Sequence, residues 1–250
     1  MKATDSMIKK LFERMDDWRH LPSYQLERRA DLFFSLYLKD ILNKKLGFSV
    51  KDELIPEFPV RKGLIYEKYQ NDIKNKNRSY KIDYVAFSED LKKAILVELK
   101  TEKKSINPKQ NDYLEVSREK GFPFLLKGII ELFNHPKSSK KKYLSLLKQL
   151  ELLGQVKIEP ELKKMTTSEA IKHTKSNPKA IQGLKTVNET YLVYIQPSKY
   201  DFVENQYKRI ITFDCLIDFI KNNTNDDISK RFVKSLPKWR DYSAGEMPGN

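Results

Sequence analysis

Apolar side chains recur every three or four residues between Ser23 and Leu46, which is the spacing of one face of an amphipathic helix. Ser23 is suited to cap the amino end of this helix, and Gly47 stands where a helix commonly ends. The segment from Ile55 to Val60 contains two prolines, which a central strand does not tolerate. We therefore expect a long helix followed by a strand at the edge of a sheet.

Two strand-like runs follow a polar, basic loop. They are SYKIDYVAF at 79–87 and KAILVELK at 93–100, and the polar residues between them predict the turn of a β-hairpin. A helix opened by Asn107 and Pro108 and closed by Gly121 comes next, and the apolar segment after it predicts a further helix. This part of the chain therefore predicts a β-hairpin followed by two helices.

The second half begins with residues 134–185, in which a helical stripe lies behind a basic run and polar residues follow. We interpret this segment as a helical insertion. After it, TYLVYIQP predicts a buried strand, and KRIITFDCLIDFIKNN predicts a strand that runs into a helix. The order of elements predicts an α/β (α+β) protein with a central mixed sheet flanked by helices. We expect a single domain, with its core in about 23–133 and 186–222 and a loose tail at 241–250.

Charge and composition narrow the classes of partner. The chain has 250 residues, and its 48 Lys and Arg against 34 Asp and Glu give a formal net charge of +14. Such an excess favours polyanions, nucleic acid first and an anionic membrane surface second, whereas the alternative is a lysine-rich solvated surface. No apolar run approaches the length of a membrane span, and a single cysteine excludes an internal disulfide. We therefore expect a cytoplasmic protein that does not enter a membrane.

The predicted hairpin brings charged side chains to the end of an apolar strand. If opposed residues have numbers that sum to 181, the pairs from Ile82–Leu99 to Phe87–Ala94 are apolar on both sides except one, in which Asp83 faces Glu98. Directly opposed Cβ atoms lie about 4.5–5.5 Å apart, so a shared cation such as Mg²⁺ would relieve the repulsion. Lys100 leaves the same face as Glu98. The alternative is a solvated hairpin end, in which Asp83 pairs with Lys81 or Lys100 and Glu98 pairs with another lysine.

An acidic residue on one strand and Glu-x-Lys on the next, here Asp83 and the run Glu98, Leu99 and Lys100, resembles the PD-(D/E)xK nuclease superfamily with its restriction-endonuclease-like fold. The αβββαβ core of that superfamily is similar to the predicted order of elements over about residues 23–200. The resemblance implies that Asp83, Glu98 and the Leu99 carbonyl bind Mg²⁺ or Mn²⁺ and that Lys100 is catalytic. It implies hydrolysis of phosphodiester bonds by metal-activated water, in DNA rather than RNA.

The resemblance implies further candidate site residues. Glu27 lies at the edge of the apolar stripe of the long helix. It is either a catalytic residue or a surface glutamate paired with a nearby cation. Gln110 is a candidate catalytic residue early in the helix after the lysine strand, and Tyr113 lies one turn on. Glu57 is a further candidate ligand or an edge-strand surface residue. Ile82 stands where the motif has its proline.

Several remaining sequence features allow two interpretations. Basic runs at 74–78 and 137–142 either contact phosphates or are solvated loops. Trp239, between two cationic residues, either stacks on bases or packs on the domain. Cys215 has apolar neighbours in the sequence, which predicts a buried, inert thiol. The alternative to an enzyme is a nucleic-acid-binding or scaffold protein that keeps the nuclease fold without turnover, and the oligomeric state stays open, a homodimer included.

Overall fold

The computed structural model describes residues 2–21, 23–72, 74–101, 108–135, 140–199 and 204–240, and it shows the predicted α/β class. The described helices are α1 (Lys2–Trp18), α2 (Leu26–Leu46), α3 (Lys62–Ile65), α4 (Pro108–Lys120), α5 (Phe122–Asn134), α6 (Lys140–Leu152), α7 (Thr167–Ser176), α8 (Phe213–Asn223) and α9 (Asp227–Arg240). The strands are β1 (Ile55–Arg61), β2 (Ser79–Phe87), β3 (Lys93–Leu99), β4 (Val156–Ile158), β5 (Ile181–Gly183), β6 (Glu189–Gln196) and β7 (Lys208–Thr212). Of the helices described, none is both long and apolar enough to cross a membrane.

The main sheet has five strands in the order β1-β2-β3-β6-β7, and it is mixed. β1 runs antiparallel to β2, with Phe58 opposite Ile82, whereas β6 and β7 run parallel, with Tyr194 opposite Ile210. β1 is an edge strand, as its two prolines predict. The central strands are almost wholly buried and apolar, so that a charged residue at the end of one of them is conspicuous.

The turn of the β2–β3 hairpin has the predicted register. The Ser88 N–H donates to the Lys93 carbonyl at 3.0 Å, and the Lys93 N–H donates to Ser88 Oγ at 3.0 Å, so these two residues face each other. Asp90 holds the turn, because its Oδ1 accepts hydrogen bonds from Ser88 Oγ at 2.6 Å and from the Lys92 N–H at 3.0 Å. The numbers of Ser88 and Lys93 sum to 181, and the continuation of this register to Asp83 stays a prediction.

The chain divides into two compact units. The first unit comprises Met1–Leu54, Val97–Gln110 and Leu192–Asn250, and the second comprises Ile55–Leu96 and Asn111–Tyr191. Two of the boundaries fall inside strands, one within β3 and one within β6. The expectation of a single domain stays a prediction.

In the first unit, α2 is the predicted long helix, but it begins at Leu26 instead of Ser23. Ser23 has a φ of +64°, whereas an N-cap residue has an extended backbone, and Gln25 occupies the cap position without a side-chain hydrogen bond. The carboxyl end is as predicted. Gly47 has a left-handed φ of +75°, and its N–H donates to the Asn43 carbonyl at 2.9 Å.

α1 and α9 are not among the predicted helices, yet both are helices and contact each other. α9 contains Pro237, which ordinarily interrupts a helix, and α1 leaves Leu11 and Trp18 about half exposed. Phe232 lies at the centre of an aromatic cluster, with its ring 5.8 Å from that of the fully buried Trp239. Both helices are amphipathic, and the packing of their apolar faces stabilises them.

In the second unit, α5 packs on β1, α6 and α7. Phe122, at the start of α5, meets the ring of Phe87 edge-on at 4.9 Å between centroids. Residues 134–185 contain α6 and α7, as a helical insertion requires, but they also contain β4 and β5, which pair antiparallel. The prediction of a helical insertion did not include these two strands, because strands of three residues are too short to show an alternating pattern.

Candidate active site

Glu98 and Lys100 lie at the carboxyl end of β3, after a run of fully buried apolar residues. Because residues two apart in a strand share a face, the two side chains leave the sheet together, and Lys100 Nζ lies 2.6 Å from Glu98 Oε1. Glu98 is 0% exposed and Lys100 is 3% exposed. The backbone is fixed as well, since the Lys100 N–H donates to the Ile195 carbonyl at 2.8 Å. The end of β3 therefore holds a rigid, buried ion pair.

Two further predicted residues converge on this pair. Gln110, in the first turn of α4, donates a hydrogen bond from Nε2 to Glu98 Oε1. Glu27, in the first turn of α2, places its Oε2 3.9 Å from Lys100 Nζ, and its side chain is 29% exposed. The structure thus brings together Glu27, Glu98, Lys100 and Gln110 within the first unit. We call these four residues the strand-end cluster.

The energetics of the strand-end cluster are unfavourable for a purely structural role. Removing a carboxylate and an ammonium from water costs several kcal/mol for each ion, and pairing offsets this only where the geometry is good. Apolar residues of similar volume at such positions are often as stable or more stable. Leu or Met at these two positions would therefore serve the core as well as the fully buried Glu98 and Lys100 do.

The other predicted metal ligands, Asp83, Leu99 and Glu57, differ in their surroundings. Asp83 lies in β2 in the second unit and is half-buried, and its opposition to Glu98 stays a prediction. Leu99, whose carbonyl is the third predicted ligand, is 1% exposed. Glu57 contacts the ammonium of Lys81, and both side chains are about half exposed, so Glu57 is an edge-strand surface residue. In the described part of the chain, no group of three or more Asp, Glu, His and Cys could hold a metal ion.

Two predictions made from neighbouring residues in the sequence have opposite outcomes. Trp239 packs on the protein, because it is fully buried and its Nε1 donates to Asp16 Oδ1 at 2.8 Å, and it presents no ring face to a base. The prediction of a buried Cys215 is wrong, because the thiol is exposed. In α8 the buried residues on either side of it, Phe213 and Leu216, belong to another face of the helix. Neighbours along a helix do not share its buried face.

The two basic runs, at 74–78 and 137–142, have different structural surroundings. Of the run 137–142, Lys141 and Lys142 have described side chains, and they line a groove of about 630 Å³ together with Tyr143 and parts of β1 and β2. Residues 74–78 form turns beside α3, where the Gly63 N–H donates to the Lys76 carbonyl at 3.1 Å. Asn107, the predicted cap of α4, and the tail 241–250 lie outside the described residues.

A cluster of tyrosines in the second unit was not predicted as a functional feature. Tyr80 stacks on Tyr113 with ring centroids 4.5 Å apart and planes inclined by 8°. Tyr66 meets Tyr69 and Tyr80 edge-on at 6.1 and 6.0 Å. The available signal was the closely spaced tyrosines of YEKY at 66–69 and of SYK at 79–81. Their meeting depends on tertiary structure, which a local pattern does not contain.

The strand-end cluster has the composition expected of a catalytic site for phosphate chemistry, with carboxylates, an ammonium and an amide held by three separate elements. Comparison of the chain with models of known protein families, with curated proteins and with solved structures finds no match. Its chemistry therefore has to be inferred from the side chains at the end of β3 and from their surroundings.

Proposed function

We propose that the chain is a metal-dependent nuclease that hydrolyses phosphodiester bonds of DNA rather than RNA. The observation that supports this most strongly is the buried Glu98–Lys100 pair at the end of an apolar strand, at 2.6 Å. Perturbed, desolvated charges of this kind concentrate at functional sites. The net charge of +14 adds affinity for a polyanionic substrate.

The proposed metal ligands are oxygen donors. Glu98, Asp83 and the Leu99 carbonyl would hold Mg²⁺ or Mn²⁺, and hard cations prefer such donors. The carboxylate of Glu98 fits this role because the strand and its hydrogen bond from Gln110 fix its orientation. Once bound, the cation would polarise a phosphodiester and lower the pKa of a water molecule.

The remaining members of the strand-end cluster position charge. In the proposed mechanism, Lys100 neutralises the negative charge that builds up on the phosphate during attack, which a desolvated ammonium does more effectively than a solvated one. Glu27, 3.9 Å from Lys100 Nζ, helps to orient that ammonium together with Glu98. Gln110 holds Glu98 Oε1 through its amide and limits the rotation of the carboxylate.

A second candidate function is a nucleic-acid-binding protein that keeps the nuclease fold without turnover. The direct contact of Lys100 with Glu98 favours it, because the ammonium already supplies the positive charge that a cation would bring to this carboxylate. The two candidates differ in metal-dependent cleavage, because a protein of the second kind binds DNA and leaves it intact.

Cleavage of labelled single-stranded and duplex DNA with Mg²⁺, with Mn²⁺ and with EDTA tests the proposal. We expect cleavage by the wild-type chain with either metal, and a rate lower by about 100-fold or more for Glu98→Gln and for Asp83→Asn. Asp90→Asn is a matched control, since Asp90 lies at the turn end of the same hairpin and should leave the rate unchanged. Thermal melting establishes that each variant is folded.

Wild-type rates for both Glu98→Gln and Asp83→Asn would refute the assignment of the site. DNA binding by the wild-type chain without cleavage under any metal condition would support the second candidate function.

A further inference from the structure

The second unit carries a surface that combines aromatic rings with cations. Its rings are Tyr66, Tyr69 and Tyr80, all half-buried, and Tyr80 rests on the buried Tyr113. We call the three half-buried residues the tyrosine platform. The stacked and edge-on contacts leave each ring with little rotational freedom, and a rigid ring loses little conformational entropy when a flat ligand stacks on it.

Two lysines lie over these rings. Lys62 Nζ is 4.4 Å from the centroid of the Tyr80 ring, and Lys68 Nζ is 5.2 Å from that of Tyr69 and 5.4 Å from that of Tyr66. Among the described residues, neither lysine has a carboxylate oxygen within ion-pair distance. In the described part of the chain these ammonium groups contact ring faces, and their charge is available to phosphate groups.

The basic loop at 74–78 is held against the same region. The Lys62 N–H donates to the Arg78 carbonyl at 2.8 Å, and the Gly63 N–H donates to the Lys76 carbonyl at 3.1 Å. Gly63 is required here, because a Cβ would lie 2.8 Å from that of Lys76. Asp72 Oδ1 accepts the N–H of Lys74 at 3.0 Å and thereby fixes the loop. The sequence from 62 to 81 carries six cationic side chains and two acidic ones.

Two hydroxyl groups of the platform, those of Tyr66 and Tyr80, have raised pKa values. Burial raises the pKa of Tyr66, and its hydrogen bond to Asp112 raises that pKa further. Burial also raises the pKa of Tyr80, as does the nearby Tyr69. Neither Tyr66 nor Tyr80 therefore presents a phenolate to an approaching phosphate.

We propose that the tyrosine platform, with Lys62 and Lys68, binds single-stranded DNA. This inference rests on the proposed function and specifies its substrate as DNA with unpaired bases. Bases stack on aromatic faces irrespective of sequence while lysines contact the backbone, but the bases of a duplex are already stacked and do not reach such rings. The platform is linked to β2, because the Tyr113 hydroxyl donates to the Lys81 carbonyl at 2.5 Å, two residues from Asp83.

Fluorescence anisotropy with a labelled oligothymidylate of about 16 nucleotides, and with a duplex of equal length, tests the platform in EDTA. We expect Tyr69→Ala to weaken single-strand binding by about 5- to 100-fold and Tyr69→Phe, which keeps the ring, by less than about twofold. Tyr143→Ala is the matched control, because Tyr143 is a half-buried tyrosine of the same unit outside the platform. Lys68→Ala should lower the slope of log Kd against log salt by about 0.7.

Single-strand binding by Tyr69→Ala and Lys68→Ala at wild-type affinity and salt slope would overturn the inference. Tighter binding of the duplex, with the same sensitivity to Tyr69→Ala, would also overturn it. Because the assay contains no divalent metal, it is independent of cleavage. A chain that binds through the platform but does not cleave contradicts only the nuclease proposal, whereas Glu98-dependent cleavage with an indifferent Tyr69 contradicts only the platform.

Discussion

Two carboxylate clusters of the first unit make different use of the same chemistry. Asp16 on α1 accepts hydrogen bonds from Trp239 Nε1 at 2.8 Å and from Lys238 Nζ at 2.6 Å, and thereby ties α1 to α9. Glu98 on β3 likewise accepts from an ammonium and from a side-chain N–H. The clusters differ in solvent, because the Lys238 side chain is 56% exposed while that of Lys100 is 3% exposed.

This difference separates a structural ion pair from a candidate chemical one. Asp16 joins two helices and leaves the ammonium of its partner in water, so the contact needs little desolvation. Glu98 and Lys100 leave one strand together and contact Gln110 on α4 and Glu27 on α2, yet both are almost fully desolvated. Structural need accounts for the first cluster, whereas the desolvation of the second supports the proposed chemistry at the strand end.

The largest expected difference is in stability. Lys100→Ala leaves the buried Glu98 carboxylate without its ammonium, and we expect it to lower the free energy of unfolding by about 3–5 kcal/mol. Lys238→Ala removes an exposed partner of Asp16 and should lower it by about 1 kcal/mol or less. Urea denaturation of the two variants beside the wild-type chain measures both values.

A double variant controls this comparison. Glu98→Gln with Lys100→Met removes both charges at similar volume and should recover most of the stability that Lys100→Ala loses. Equal losses for Lys100→Ala and Lys238→Ala would contradict the view that the strand-end cluster is desolvated.

A smaller effect tests the structural cluster. Asp16→Ala leaves the N–H of the buried Trp239 without its acceptor, so we expect a loss of about 1–3 kcal/mol in the free energy of unfolding. Asp16→Asn keeps an acceptor oxygen and loses the charge, for which about 1 kcal/mol or less is expected. Neither variant should alter cleavage of DNA at temperatures where it is folded. A fall in the cleavage rate of folded Asp16→Asn would remove the contrast between the two clusters.

The sequence predicts those parts of the fold in which local pattern and tertiary structure agree. The hairpin strands, the edge strand with its prolines and the helix that ends at Gly47 all follow from periods and turn residues. The meeting of Glu98 with Lys100 follows from their spacing of two in a strand, and Glu27 follows from its place on the helix stripe. These expectations need only local geometry.

The missed features depend on contacts between distant segments. α9 forms despite Pro237, because its apolar face packs on α1 and α8. The burial of Lys100 does not follow from its residue type, which is almost always exposed. The tyrosine platform joins two rings from the residues just after α3 to one from β2, and the exposure of Cys215 depends on which face of α8 packs.

The most direct test of the strand-end site is calorimetric titration with Mn²⁺. For the wild-type chain we expect one site, and for Asp83→Asn and Glu98→Gln an affinity lower by about tenfold or more. Asp16→Asn, which changes the structural cluster, should bind Mn²⁺ as the wild-type chain does. Absence of Mn²⁺ binding to the wild-type chain, or equal binding by all four proteins, would contradict a metal site formed by Asp83 and Glu98.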